Sequence, residues 1–460
     1  MLYYIYYIAH LLQNGGYNML LEFTTQNYKS FIDKAVFSMT KAAKQKGLDY
    51  SLLNEKIKSK IISGLCSSVI YGPNAAGKTN IIGAMDTFRS IVLRGNIRNS
   101  EDTTSPNPAS NLLELIPNNQ LTKASPVDFS IEFFEDNTLI KYFLSIDLGC
   151  FMDYKYDRKI ISEELYVNGD RIFCRGKDLL IENLKVIKNY LAESSEKNFQ
   201  SAFQIAENNL NREELFLTNG FKQIFCPEFV NMIIEWFSNK FMVIYRADSM
   251  QLIKRFADPK QKTVYVEKTT NEAAKIFGIN SNDVGYVIND ENHEAKLCSI
   301  FRDENKSKSM AISADVFESF GTIRFINMFP LVIRAMQSGG TLIVDEFDAS
   351  IHPMALMSII NVFHNDDINI NHAQLIFNTH NPIFLNSNLF RRDEIKFVER
   401  DDNEHCSILY ALSDFGTSGD KGVRKHEDYM KNYFISQYGA IKDIDFTPIF
   451  EKILADEGEV

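Results

Sequence analysis

Hydrophobic positions along the chain change their spacing repeatedly, and each change predicts an element. Alternation from Leu20 to Phe31 predicts a strand and turn, and the polar, helix-prone stretch after it runs to Ser63. Ser68 to Tyr71 reads as a short buried strand leading directly into GPNAAGKTN, and the following IIGAMDTFRSIVL carries apolar residues at helical spacing. Two-residue alternation fills Val127 to Val167. It is broken at Asp136-Asn137 and at Asn168-Gly169, residue pairs that favour tight hairpin turns.

Between Leu179 and Asn239 the pattern turns helical and polar without sustained heptads, which predicts a compact helical insertion. The strand-like Phe241 to Tyr245 follows, and from Val284 alternation resumes as the chain comes back to a sheet. A helix from Glu318 to Gln337, the buried strand TLIVDEF, a helix starting near His352, the strand QLIFNTH and a helix after Asn381 then give the βαβα rhythm of a mainly parallel sheet. The fold class expected is α/β, with a mixed sheet, an antiparallel β lobe and a helical insertion.

Composition narrows the function classes. The 460 residues carry 49 Lys+Arg against 60 Asp+Glu, a net charge of −11, so no broad positive field attracts nucleic acid. A hydrophobic content of 45% excludes a disordered chain. The six cysteines (Cys66, Cys150, Cys174, Cys226, Cys298 and Cys406) lack a CxxC pair or a Cys/His cluster at zinc spacing, and read as reduced thiols, most of them in the core. Leu2 to Leu12 is apolar and aromatic, but it has neither the basic start nor the cleavage site of a signal peptide and is too short to span a bilayer. Residues 1–18 therefore read as an extension ahead of Met19, and a cytoplasmic protein without a membrane partner is expected.

The candidate chemistry begins at Gly72-Pro73-Asn74-Ala75-Ala76-Gly77-Lys78-Thr79, which satisfies GxxxxGK[ST] between a predicted strand and a predicted helix. Backbone N–H groups of this loop, extended to Asn80, would approach phosphate oxygens, and the helix N-terminus favours their charge. Lys78 would bridge the β- and γ-phosphates while the Thr79 hydroxyl binds Mg²⁺. Asp345 and Glu346 end an apolar strand, where ligands of parallel sheets bind. Asp345 would hold Mg²⁺ through water and Glu346 would polarise the attacking water. His380, at the end of QLIFNTH, is placed to contact the γ-phosphate and that water. Ser319, Gly321 and Thr322 at a predicted helix start combine hydroxyls, a glycine and helix N–H groups into an anion site.

In this order, LLEFTTQNYKSF, YGPNAAGKTNII, ESFGTIRF, TLIVDEFDASIHP, FNTHNPIFL and VRKHEDYMKNYFISQYGAI resemble the ABC-class AAA-family ATPases of bacterial anti-phage systems. The resemblance is greatest to the AbiL and RloA group, with the PARIS-type ATPase and the OLD nucleases as relatives. It implies an ABC-type P-loop ATPase head using ATP and Mg²⁺, dimerised head to tail around two nucleotides. Ser319, Gly321 and Thr322 would then contact the γ-phosphate held by the opposite subunit, and Asp348 to His352, with Ser350, would form the D-loop between the two sites. Asn27 and Lys29 lie either near the nucleotide or on a surface strand. No Q-loop glutamine is placed, and SFGT stands where transporters carry LSGGQ, so a transporter subunit is not expected.

The segments expected are the N-terminal extension (1–18), an N-terminal ATPase lobe with the P-loop and an antiparallel β subdomain (19–178), the helical insertion (179–240), a C-terminal ATPase lobe (241–400) and a C-terminal strand-helix appendage (401–460). The 80 residues after His380 are fewer than the roughly 100 of an ordinary domain, so an appended nuclease is not expected. No heptad arm of SMC type is present. The leading expectation is an ATP-hydrolysing sensor or scaffold of abortive infection that answers a phage-derived trigger and controls a separately encoded effector, a nuclease. The alternative is a RecF/SMC-like repair ATPase that binds DNA directly, through Arg89, Arg94 and Arg98. The C-terminal RKHEDYMKNYFISQYGAI reads as an amphipathic helix for packing or for docking a partner.

Overall fold

The computed structural model describes residues 17–456, leaving out 44, 58–59, 99–112, 152, 154–155, 184, 186–187, 192–197, 246–262, 265–267, 289–294, 304–308, 402, 418–421 and 425–426. The expected N-terminal extension lies outside the described residues except for Tyr17 and Asn18, and Asn18 already opens the first strand, β1 (Asn18–Gln26). Both faces of β1 are covered. Met19 and Leu21 pack with Leu53, Cys66 and Phe134, while Leu20 and Phe23 join the main core.

The stretch expected to be helical up to Ser63 is instead the strand β2 (Ala35–Ser38) followed by a hairpin of β3 (Leu52–Ile57) and β4 (Lys60–Leu65). Its polar residues give a weak local preference, and pairing of β2 with β1 together with burial of Phe37, Leu52 and Leu65 overrides it. After β5 (Ser67–Tyr71) and helix α1 (Lys78–Arg94) come β6 (Val127–Glu135), β7 (Thr138–Asp147), β8 (Lys159–Val167), β9 (Asp170–Arg175) and β10 (Leu179–Ile181). The β6–β7 and β8–β9 turns fall where expected, with left-handed backbone at Asp136, Asn137, Asn168 and Gly169. Among the described residues these strands form an antiparallel seven-stranded sheet, ordered β10-β9-β8-β7-β6-β1-β2.

The expected insertion is mainly helical, with α2 (Phe199–Asn208), α3 (Phe216–Asn219) and α4 (Pro227–Glu235), although its first residues form β10. It packs into the main core: Phe216, Phe221, Phe225, Phe229, Trp236 and Phe237 share one cluster with the sheet and α1, and Trp236 stacks on Phe133 at 3.9 Å. The start of α3 is held by Glu163 of β8. This fully buried carboxylate accepts from the backbone N–H groups of Phe216 and Leu217, both at 2.8 Å, and from Tyr142 Oη at 3.0 Å, with Arg175 Nη1 at 3.4 Å. Burial raises its pKa, against the pull of Arg175 and the two N–H groups.

Strand β11 (Phe241–Ile244) follows the insertion. Next, β12 (Thr263–Val264), α5 (Lys268–Phe277), β13 (Asp283–Ile288), β14 (Ala295–Arg302), β15 (Ser309–Ser313) and α6 (Ala314–Phe317) build a separate antiparallel sheet, β12-β13-β14-β15. The alternation from Val284 therefore does not rejoin the central sheet. It closes a small core of its own, in which Val284, Tyr286 and Leu297 meet Ala274 and Ile326.

Helix α7 (Phe320–Ser338), β16 (Thr341–Val344), α8 (Pro353–Phe363) and β17 (Gln374–Asn378) match expectation. The helix expected after Asn381 is only a single 3₁₀ turn at Pro382–Phe384, and the chain then enters β18 (Ile395–Arg400) and β19 (Ser407–Ala411). The described strands of the second large sheet run β11-β16-β17-β5-β18-β19, parallel throughout except for β19. The loops after β5, β16 and β17 consequently leave the same edge of the sheet from adjacent strands. At the opposite end, the buried Gln374 side chain joins the two large sheets by bonding Leu20 and Leu65.

The expected C-terminal amphipathic helix is interrupted. Helix α9 (Tyr429–Phe434) stops ahead of a left-handed Ser436, and Tyr429, Tyr433 and Tyr438 pack against the second core. The last helix, α10 (Thr447–Asp456), leaves Ile449, Phe450, Ile453 and Leu454 exposed. The six cysteines are free thiols, and among the described residues no helix is long and apolar enough to cross a membrane.

Removing the Glu163 carboxylate strands two helix N–H groups and the Tyr142 hydroxyl, and takes the counter-charge from the buried Arg175, which keeps its bonds to the Glu214 and Asn211 carbonyls. Glu163→Ala is expected to lose about 3–5 kcal/mol of stability in urea denaturation, and a loss below about 1 kcal/mol contradicts this role for the carboxylate.

Candidate nucleotide-binding site

The loop after β5 is shaped by contacts that leave no room for side chains. A Cβ on Gly72 would lie 2.2 Å from the Val398 carbonyl oxygen, and one on Gly77, at φ 112°, would lie within 2.8 Å of the hydroxyls of both Ser407 and Ser30. These strands and turns cradle the loop from outside: Ser407 Oγ donates to the Ala76 carbonyl at 2.6 Å, and Asn80 Nδ2 donates to Ser30 Oγ at 2.7 Å. Ala75 adopts a left-handed backbone between the two glycines. Helix α1 starts at Lys78 with Gly77 at its cap position and no side-chain cap; the Asn80 N–H already donates to the Gly77 carbonyl at 3.0 Å, which leaves the N–H groups of Lys78 and Thr79 to meet an anion.

Lys78 is 5% exposed, and its ammonium donates to the carbonyls of Gly72 at 2.7 Å and Pro73 at 3.0 Å. Burial lowers its pKa to about 8, against the attraction of Asp345, Glu346 and Asp348. Among the described residues no hydrogen bond or ion pair to a carboxylate accounts for its charge, which suits it to phosphate.

The P-loop meets the ends of β16 and β17 at one carboxylate. Asp345 Oδ1 accepts from the Thr79 hydroxyl at 3.1 Å and from Asn378 Nδ2 at 2.6 Å. The Asn378 side-chain oxygen in turn accepts from the Glu346 backbone N–H, and Arg324 of α7 donates to the Glu346 carbonyl. These bonds hold Glu346 at φ 52°, a left-handed backbone unusual for a residue with a side chain. Thr379 donates to Asp348 Oδ2 at 2.6 Å. His380 follows, its pKa lowered first by partial burial and then by the nearby Lys78 charge, with Asp348 and Asp345 opposing, so the imidazole is neutral at neutral pH.

Thr79 and Asp345 present a hydroxyl and a carboxylate, hard oxygen donors of the kind that hold Mg²⁺ alongside phosphates and water. Among the described residues no group of three or more His, Cys, Asp or Glu could hold a metal unaided, so a metal here would share its ligands with the phosphates.

Ser319, Gly321, Thr322 and Ser350 form a second group. Ser319 caps α7, accepting from the Thr322 N–H at 3.1 Å, and Gly321 lies so close to the loop before α8 that a Cβ would sit 2.1 Å from the Ser350 carbonyl oxygen. Among the described residues no hydrogen bond joins 319–322 to the P-loop. Beside this group Val316 is 80% and Phe320 61% exposed.

The surface-strand alternative for Asn27 and Lys29 fails. Asn27 is 2% exposed and bonds Asn118 and Ser125, while Lys29 pairs with Glu114 and Tyr245. It is Ser30 that reaches the P-loop side. Of the arginines considered for DNA, Arg89 donates to the carbonyls of Phe237 and Ser238, and Arg98 pairs with Glu213 and Glu214. Asn378, Ser30, Ser407 and Arg324 are site residues that the sequence reading missed. Only Asn378 carried a visible signal: an amide at the end of an otherwise apolar buried strand needs partners.

Among solved structures the chain is similar to the SMC head domain from Thermotoga maritima, at 12% identity and a TM-score of 0.33, covering 85% of this chain and 98% of that one. It is also similar to an SMC head bound to the C-terminal winged-helix domain of ScpA, at 11% identity and a TM-score of 0.36, covering 86% and 98%. No curated protein matches the sequence. Residues 67–386 match the family model described as "AAA domain, putative AbiEii toxin, Type IV TA system", and they span β5, the P-loop, Asp345 and His380; the chain belongs to this AAA-domain family.

Proposed function

We propose that this protein binds ATP with Mg²⁺ and hydrolyses it as the sensor or scaffold of an anti-phage system. The observation that carries the reading is the convergence of Thr79, Asn378 and Asp345 beneath an uncapped helix N-terminus. Lys78 exchanges its two carbonyl partners for phosphate oxygens, and Thr79 and Asp345 would hold Mg²⁺, which would offset the phosphate charge. Glu346 takes a proton from the attacking water, and neutral His380 orients that water and the γ-phosphate.

Head-to-tail dimerisation follows from the second group. Ser319, Gly321 and Thr322 combine hydroxyls with a helix start suited to an anion, among the described residues they have no bond to their own P-loop, and the exposed Val316 and Phe320 beside them suit a surface that a second copy covers. The exposed apolar face of α10 supports a dock for a separately encoded effector, which we take to be a nuclease, released when a phage-derived trigger shifts the dimer equilibrium. Direct DNA binding is the less supported reading, since Arg89 and Arg98 are engaged within the chain.

Glu346→Gln is expected to lower turnover by about 10²–10⁴-fold and, with ATP, to sediment as a dimer; wild-type turnover or an ATP-loaded monomer contradicts the reading. Because Lys78 has a pKa of about 8 in the empty site and phosphate favours its charged form, binding takes up a proton above that pH. ATP affinity is therefore expected to be steady below pH 8 and to fall about tenfold per unit above it, within the stable range of the protein. Calorimetric titration from pH 7 to 9 tests this. Lys78→Ala is expected to abolish binding, and a flat pH profile for the wild type contradicts the assigned role.

A further inference from the structure

One face of α1 carries more than the metal-site hydroxyl. Thr79, Gly83 and Asp86-Thr87 follow one another at helical spacing, so the same face that presents Thr79 to Asp345 presents Gly83 about 6 Å farther along the axis. There the aromatic ring of Tyr245 lies against the helix. A Cβ on Gly83 would be 3.0 Å from Tyr245 Cε2 and Cζ and 3.2 Å from its oxygen, so glycine is what allows the ring this close.

Tyr245 is also tied to the catalytic edge of the sheet. It directly follows β11, which pairs with β16 in the register Ile244 to Val344, and the Ile244 carbonyl accepts from the Asp345 N–H at 2.9 Å. Tyr245 and Asp345 are thus the first residues beyond two adjacent, paired strands. The phenol is fixed in both hydrogen-bonding roles, accepting from Lys29 Nζ at 3.0 Å and donating to Glu114 Oε2 at 2.7 Å, while Lys29 and Glu114 form an ion pair. The Lys29 backbone is itself anchored: its N–H donates to the Ile116 carbonyl at 3.0 Å and its carbonyl accepts from Asn118 Nδ2 at 2.6 Å.

We propose that Tyr245, locked by Lys29 and Glu114, is a positioning residue of the ATP site, a wedge that sets the spacing between α1 and the end of β16 and so the alignment of Thr79 with Asp345. The proposal rests on the ATPase reading above. The action of Tyr245 runs through Gly83 on one side and through the Ile244–Asp345 backbone bond on the other. Lys29 from the turn after β1, Glu114 and the P-loop helix meet at this side chain, and the strand that ends at Asp345 is bonded to the residue before it. A phenol bonded at both ends holds the ring in one orientation, whereas a phenylalanine keeps the packing and loses the lock.

The test compares wild type, Tyr245→Phe and Gly83→Ala in steady-state ATP hydrolysis, with Mg²⁺ titrated at each ATP concentration and the melting temperature of each variant recorded. Tyr245→Phe is expected to lower kcat about tenfold and to raise the half-saturating Mg²⁺ concentration several-fold, with the ATP KM within about twofold and the melting temperature unchanged. Gly83→Ala, which pushes the ring away, is expected to shift the Mg²⁺ requirement in the same direction and further. Wild-type kcat and Mg²⁺ dependence in Tyr245→Phe overturn the proposal, as does a loss of rate in both variants with the Mg²⁺ requirement unmoved. If the wild type itself shows no Mg²⁺-dependent hydrolysis, the ATPase reading fails and this proposal with it; hydrolysis by the wild type that Tyr245→Phe leaves intact removes the positioning role alone.

Discussion

The arrangement depends on one carboxylate oxygen. Asp345 Oδ1 takes hydrogen bonds from Thr79 on the P-loop helix and from Asn378 on the neighbouring strand, and so joins segments nearly 300 residues apart in sequence. That joint is available only because β16, β17 and β5 are adjacent and parallel, which delivers their C-terminal loops to one edge. The central sheet exists to hold this register: β5, β16 and β17 are buried along their whole length, and each large apolar side chain there contributes about 1.5–3 kcal/mol on burial.

The same joint explains the local strain. Glu346 is held in a left-handed conformation between Asn378 and Arg324, so the residue assigned to activate water cannot relax without breaking bonds to both the next strand and α7. Since Ser319 caps the helix that carries Arg324, α7 connects the turn that holds Glu346 to the end proposed to bind an anion. In the dimer proposed here, closure around nucleotide at one site is therefore felt mechanically at the other through α7 and through the contact of Gly321 with Ser350.

Much of this was legible in the sequence where function sits in short contiguous runs. The P-loop, the acid pair after TLIV and the hydroxyl-glycine start of α7 were read directly, because each is a strand or helix end whose chemistry lies within a few residues. What could not be read comes from contacts between distant segments. Ser30 and Ser407 meet at Gly77 only because the turn after β1 meets the start of β19, where the Ser407 N–H donates to the Ser30 carbonyl at 2.7 Å, and Tyr245 comes next to Asp345 only because β11 pairs with β16. The region from Ala35 to Leu65 misled for a related reason: its polar composition reads as helix, whereas its pairing partners impose strands. The alternation beyond Val284 reads correctly as strands, but it does not say which sheet they join, since alternation reports a half-buried surface and not which neighbour covers it.

In the proposed dimer each nucleotide site is completed by a second copy. Mixing two variants, each crippled in a different half, tests this most directly. Lys78→Ala removes the P-loop cation. Ser319→Asp keeps a residue suited to capping α7 but places a negative charge where the partner's phosphate would lie. Each alone is predicted to be inactive, and an equimolar mixture to recover roughly a quarter of wild-type turnover, because mixed dimers hold one intact site. A mixture no more active than its parts, or full turnover by Ser319→Asp alone, would contradict the shared site.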